Sequence, residues 1–390
     1  MFRRGLVVAA VVGAVLVPAA SASTVHRVKL SLVPLPKSAL GTAGKSLALS
    51  HDSGVVSNVS AAAKSVSGTT GTFKNLGRVT GYDLAYGRPF SGGTGITQIV
   101  SGVEEYKTTT GAKKGLAFWR KDDAQITSLT QYGVGVTLKV LKVPAIGAGR
   151  FGYGTTLTFP NVAPIASVDE QVADGKYVLH VGVTADSLSA ASRQAAKSLR
   201  ALDQRLHLAE QGRLSSKAVK LLPPLKAGPA SGGPDLSTLT VTNADLTGTA
   251  TVDESTYVVD PEAFSAYLLD MNPAGQFQSL TQEIEWYATA NEASVTTTLE
   301  EALVASELGA LVGATPTVTP VDLSSVGDNA QGEILQFSVN GQLLYVADVG
   351  LSRGQASDFV LAASASPLQS SQVQSLAQAM ATHLDAGVTG

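Results

Sequence analysis

The stretch VEEYKTTTGAKKGLAFW, Val103 to Trp119, is echoed later in the chain by IEWYATANEASVTTTL, which starts at Ile284. Val103 aligns with Ile284, Glu104 with Glu285, Tyr106 with Tyr287, Thr108 with Thr289 and Ala112 with Ala293. Each stretch predicts a strand running into a helix, because apolar residues then recur at helical spacing. The expected inward stripe is Ala112, Leu116, Trp119, Ile126 and Leu129 in the first helix, and Ala293, Leu299, Leu303 and Leu311 in the second. One strand-to-helix unit appearing twice predicts a duplicated fold.

Working outward, the same order of events continues in both halves. VPAIGAGRFGY (Val143 to Tyr153) aligns with LSSVGDNAQGE (Leu323 to Glu333), Gly147 over Gly327 and Gly152 over Gly332, which predicts one shared backbone turn entering a strand. Asp174-Gly175 and Asn340-Gly341 then predict matching two-residue hairpins, since both turn positions favour positive φ. Each half closes on an amphipathic helix, with Ala195, Leu199, Leu202 and Leu206 inward in one and Val373, Leu376, Met380 and Leu384 in the other. Ser189 and Ser370 or Ser371 are the expected caps. KLLPPLKAGPASGGPD (Lys220 to Asp235) reads as a linker. The expected organisation is a signal peptide over 1–22, a first repeat over 28–212, a linker over 213–234 and a second repeat over 235–387. A lead-in over about Lys37 to Phe73 is expected only in the first half.

Strands and helices in this order, without regular strand-helix-strand crossovers, favour an α+β fold: two tandem repeats, each an antiparallel sheet covered by helices. This resembles the PsbP-type sandwich of exported actinobacterial lipoproteins and of the extracellular sensor domains of some bacterial kinases. In those families an apolar-Gly-Asp-x-Ala turn precedes the hairpin, and VGDNA at Val326 to Ala330 is similar to it, whereas IGAGR in the first half keeps Gly147 but has Ala148 where the second half has Asp328. The resemblance implies a non-catalytic, extracytoplasmic binding or sensing module, and it supplies no catalytic residues.

The first residues bear on compartment. Arg3 and Arg4, the apolar run Leu6 to Val17 and the small-x-small Ala20-Ser21-Ala22 predict an export signal cleaved after Ala22, too short to span a bilayer. No membrane span is then expected in the mature chain. Cysteine is absent, which excludes disulfides, thiolate metal sites and a cysteine nucleophile. The formal charge of −3 offers no basis for nucleic-acid binding.

Familiar catalytic motifs fail on inspection. Gly44-Lys45-Ser46 ends like a phosphate loop, but Ala39 stands where the leading glycine belongs, and Pro34 and Pro36 occupy the approach that should be a buried strand. No G-x-S-x-G elbow occurs, and Ser50-His51-Asp52 are adjacent in a turn rather than convergent. The five histidines show no metal-ligand spacing, and DNAQGE from Asp328 lacks the later ligands of a calcium loop. No cofactor or metal is expected.

What remains is the repeated carboxylate, Glu104 and Glu285, with Tyr106 and Tyr287 beside it. Strand alternation predicts that the glutamates face water. The expected function is an exported binding or interaction protein for a small, partly apolar ligand or an envelope component, with these four residues as candidate lining. The alternatives are a cell-envelope hydrolase using one glutamate as acid or base, and a structural envelope protein. A hydrolase requires two carboxyls within roughly 5 to 10 Å in a cleft, one of them desolvated.

Overall fold

The computed structural model describes residues 28–388 except 66, 89–94, 133–134, 160–161, 247–248, 261–262, 328 and 340. The expected signal peptide, His26, Asp328 of the VGDNA turn and Asn340 of the second hairpin lie outside the described residues.

Short 3-10 turns at Leu30–Leu32, Lys37–Leu40 and Ala43–Ser46 lead into β1 (Ala48–Leu49), β2 (Gly54–Val56), α1 (Asn58–Lys64) and α2 (Thr70–Asn75). The first half continues with β3 (Arg78–Gly87), β4 (Ile96–Tyr106), α3 (Thr109–Asp123), a 3-10 segment Ala124–Tyr132, β5 (Gly135–Val140), β6 (Gly149–Phe159), β7 (Val162–Asp174), β8 (Tyr177–Ala185) and α4 (Leu188–Glu210). The second half carries a 3-10 turn Leu236–Thr238, β9 (Thr249–Val258), β10 (Ser265–Ala274), β11 (Ser279–Trp286), α5 (Ala290–Val312), β12 (Thr317–Pro320), β13 (Gln331–Val339), β14 (Gln342–Arg353), β15 (Ala356–Ser364) and α6 (Ser370–Val388).

Every ladder is antiparallel. The first sheet runs β5-β6-β7-β8-β4-β3-β1, and the second runs β12-β13-β14-β15-β11-β10-β9. The two orders are the same, which makes this an α+β protein of two like sheets. Register confirms the alignment that opened the sequence reading: Glu104 lies opposite Gly81 and Val178, and Glu285 opposite Ala266 and Ser357.

The larger apolar core of each sheet lies on the face covered by the terminal helix. Ile99, Val103 and Leu179 pack with Leu199, Leu202 and Leu206 of α4, while Ile284, Val349 and Val360 pack with Leu376, Met380 and Leu384 of α6. The expected inward stripes of both terminal helices are therefore core. The cap of α4 is Ser187 rather than Ser189, its hydroxyl accepting the Ala190 N–H at 3.3 Å. At α6, Ser370 and Ser371 are already helical. Just before the lead-in the two halves agree: Leu35 N–H donates to Ser101 Oγ at 3.0 Å, and Val241 N–H donates to Gln282 Oε1 at 2.9 Å, at matching places in the two sheets. Among the described residues the second half has no counterpart of the helical pair α1 and α2.

Three further expectations are corrected. The Asp174-Gly175 hairpin joins β7 to β8 with Asp174 paired to Tyr177, so the turn is Gly175-Lys176. Its partner in the second half is Gly354-Gln355 between β14 and β15, and both glycines have φ of 54°. In the second half, Val339 pairs with Gln342, so the hairpin from β13 to β14 holds Gly341. Each half contains two successive hairpins, and similar turn letters aligned the wrong pair. The first predicted helix breaks after Asp123 into the 3-10 segment that holds Ile126 and Leu129. In α5 the buried side is Ala293, Thr297, Glu301, Val304 and Ala305, while Leu311 is 81% exposed. That helix packs on polar groups around Thr297, which contacts the Ser357 hydroxyl at 2.8 Å, and through Val304 and Ala305 on Leu335, Phe337 and Val346, so its inner face mixes both and escaped apolar periodicity. Residues 213–235 hold no helix or strand, but Val219 and Leu221 pack on the first core and Ser265 Oγ donates to Gly228 O at 2.8 Å. The linker is therefore anchored along its length.

Candidate functional site

The polar chemistry lies on the second face of each sheet, under α3 and α5. Thr108 caps α3 and Thr289 caps α5, each accepting the N–H three residues on, so both helices start directly over the repeated glutamate and tyrosine. Gly115 lets α3 come very close: a Cβ there would sit 2.2 Å from Tyr106 Oη.

In the first half Glu104 is 4% exposed rather than facing water, and Tyr106 is fully buried. Tyr106 Oη donates to Glu104 Oε2 at 2.7 Å, Trp119 Nε1 donates to the same oxygen at 3.0 Å, and Arg78 Nε donates to Oε1 at 2.9 Å. Arg78 Nη1 also donates to Val56 O and Asn58 Oδ1, both at 3.0 Å. A buried charge is tolerable only when paired and hydrogen-bonded in this way. Burial and then the Glu104 charge push the Tyr106 phenol far up, so it serves as a neutral donor.

Beside this cluster, Asp83 Oδ1 lies 3.2 Å from His180 Nε2 and Asp83 Oδ2 accepts from Lys64 Nζ at 3.0 Å. Burial alone would raise the Asp83 carboxyl, but His180 and Lys64 outweigh it and hold it well below the usual range. Burial likewise opposes charge on His180, and Asp83 overrides it, raising the imidazole. Gly102 makes the pair possible, since a Cβ there would lie 2.2 Å from both partners. Asp123 is raised to about 8 by burial and by Asp169.

The second half keeps the tyrosine and loses the cation. Tyr287 Oη donates to Glu285, again buried, but Ala263-Phe264 stand where the first half has Arg78-Val79. Asp260, Glu283 and Glu285 instead bring carboxylate oxygens within 4.8 Å of one another. Burial first, then Glu300 and Asp260, push Glu285 well up. These acids lie closer together than the roughly 5 to 10 Å expected of a hydrolase pair and line neither concavity described next. The four sequence-nominated residues are thus brought into two matched Glu-Tyr pairs inside the fold.

A concavity of about 470 Å³ opens at the β6 edge of the first sheet. Its wall is the strap 141–148, fixed by Leu141 N–H to Gly152 O at 2.9 Å and Ala148 N–H to Ala173 O at 2.8 Å. Here the repeated glycines do their part: Gly147 has φ of 63°, and a Cβ on Gly152 would lie 2.7 Å from Val143 Cγ2. Val140, Leu141, Pro144, Phe151 and Tyr153 give an apolar floor, and Arg120, Lys142, Arg150 and Arg200 bring four cations to it. Carrying the alignment through, the second-half counterparts of the first three cations are Glu301, Asp322 and Ala330, and α6, which stands in place of α4, carries no lysine or arginine. The basic rim is therefore a property of the first half, not of the fold. A smaller concavity of about 170 Å³ lies by Leu246, Phe277 and Gln372.

No family model matches the chain, and no curated protein matches it. Among solved structures, the extracellular domain of PknH from Mycobacterium tuberculosis is similar at a TM-score of 0.30 and 14% identity, covering 46% of this chain and 99% of that one. Among the described residues no helix is long and apolar enough to cross a membrane.

The rim cations went unnoticed in the sequence because they are scattered from 120 to 200 with no fixed spacing. The usable signal was the repeat itself, since basic residues at four positions face none at their counterparts.

Proposed function

We propose that this chain is an exported, non-catalytic binding protein whose first half holds an amphipathic oxyanion, a phosphate or carboxylate head on an apolar tail. One observation carries the reading: Arg120, Lys142, Arg150 and Arg200 converge on an apolar concavity, and the duplicate half has no basic residue at any of the four places. Guanidinium groups suit such heads because they offer planar, paired donors. The apolar floor suits the tail, as in most small-molecule sites. Export rests on the signal-like first residues, and the order of elements that resembles PsbP-type sandwiches agrees with a binding role.

The test is calorimetric titration of the full chain with dodecyl phosphate, inorganic phosphate and phosphatidic acid vesicles. Binding of dodecyl phosphate but not of inorganic phosphate supports the reading, and the vesicle arm shows whether the head is taken from a bilayer. Absence of binding in all three arms, and with laurate, refutes it.

A further inference from the structure

His207 stands on α4 one turn beyond Asp203, and both meet the hairpin from β7 to β8 at Asp174. His207 Nε2 is 3.4 Å from Asp174 Oδ2 and 3.7 Å from Asp203 Oδ1. Each of the three residues places one ligand atom within 4.8 Å of the other two. The second ring nitrogen, Nδ1, lies 3.4 Å from Glu210 Oε2. Asp203 Oδ1 faces the imidazole from a buried position and has no hydrogen-bond partner.

The second half closes the same junction with a fixed cation. Arg353 precedes the glycine of its hairpin as Asp174 does in the first half, and Arg353 Nε reaches Asp385 Oδ1 of α6 at 3.1 Å. In the first half the hairpin residue is an acid and α4 adds two more. Among the described residues no lysine or arginine forms an ion pair with Asp174, Asp203 or Glu210, and Lys176 inside the hairpin is engaged by Glu105. Three carboxyls therefore share one imidazole where the other copy has a guanidinium. A carboxylate oxygen shielded from water and left unpaired is costly, which favours a positive partner at this place.

We propose that Asp174, Asp203 and His207 form a zinc-class metal site that ties the β7–β8 hairpin to α4. Around a tetrahedral zinc with bonds of about 2.0–2.1 Å, adjacent ligand atoms stand about 3.3–3.4 Å apart, so both spacings from Nε2 need little adjustment. Imidazole together with carboxylate suits zinc, whereas magnesium and calcium take oxygens and gain nothing from the ring. Glu210 stands where a ligating histidine has its supporting carboxylate, holding the proton on Nδ1 and leaving Nε2 free for the metal. Three protein ligands leave the fourth position to water. His207 is half exposed, which gives an ion access from solvent. None of the three residues lines the basic concavity, so this site is independent of the one proposed there.

The test uses the full chain, carrying no polyhistidine tag and stripped of metal, titrated with zinc chloride by calorimetry and by thermal unfolding. One zinc per chain is expected to bind and to raise the unfolding midpoint as its concentration rises, while magnesium chloride does neither. His207→Gln and, as a second variant, Asp174→Asn are expected to weaken zinc binding about tenfold or more, with the metal-free fold unchanged by circular dichroism. His383→Gln, whose ring pairs with Asp245 in the second half, is expected to keep the full response. A parent that ignores zinc, or a response that survives both His207→Gln and Asp174→Asn, overturns the proposal. So does a response abolished by His383→Gln.

Discussion

Arg78 Nε lies 2.9 Å from Glu104 Oε1, and the arginine side chain is wholly shielded from solvent. At the matching place in the second half, the strand before Ser265 carries Ala263, and Glu285 meets other acids instead. The duplicated fold thus buries the same carboxyl twice, once beside a cation and once among other acids that burial and their mutual repulsion push toward protonation.

Removing Arg78 should therefore be more damaging than its single ion pair suggests. Arg78→Met strands a buried carboxylate and is expected to cost about 3–5 kcal/mol in urea unfolding. Adding Glu104→Gln should recover part of that loss, because Tyr106 and Trp119 can still donate to the amide oxygen. An equal or greater loss in the double variant would show that Arg78 acts by packing alone.

Gly102 is held by chemistry rather than by backbone conformation. Gly102→Ala drives a methyl into Asp83 and His180, both at 2.2 Å from the Cβ position. The expected cost is about 1–3 kcal/mol, typical of an overpacked interior. The His180 ring should also lose its raised basicity, read as a lower imidazole titration midpoint by NMR; an unmoved midpoint would contradict the pairing.

Stability should fall as pH rises above about 5. Burial raises Asp123 and Asp358 to about 8, and Glu170 and Glu300 to about 7. Between the ordinary carboxylate pKa near 4 and those values, the folded state binds protons that the unfolded chain has released, so stability declines with pH across this window. Asp83 and Asp245 shift downward, and their contribution disappears only as pH falls below about 4. The unfolding midpoint should be higher at pH 5 than at pH 8. Asp358→Asn, whose carboxyl accepts from Gln282 Nε2 at 2.9 Å, should raise the midpoint at pH 8 and change it little at pH 5.

The fold was legible where duplication constrained it. Glu104 and Glu285, Gly152 and Gly332, and the leucine stripes of α4 and α6 occupy equivalent places because both copies must bury the same elements. Burial of the glutamates was not legible: alternation assigns them to the face opposite the apolar core, and only the overlying α3 and α5 make that face interior. The inner side of α5 escaped for the same reason, since Thr297 and Glu301 read as surface letters. The basic concavity depends on α3, α4 and the 141–148 strap meeting in space, which no local pattern records.

The reading of the first half stands or falls on its arginines. Affinity for dodecyl phosphate, measured by calorimetry, should drop about tenfold or more in Arg150→Ala and again in Arg150→Ala/Arg200→Ala, since a hydrogen bond to a charged group contributes about 1.5–3 kcal/mol. Thr382→Ala, on α6 of the second half, should leave it unchanged. Equal affinity in the parent and the double arginine variant would contradict the account.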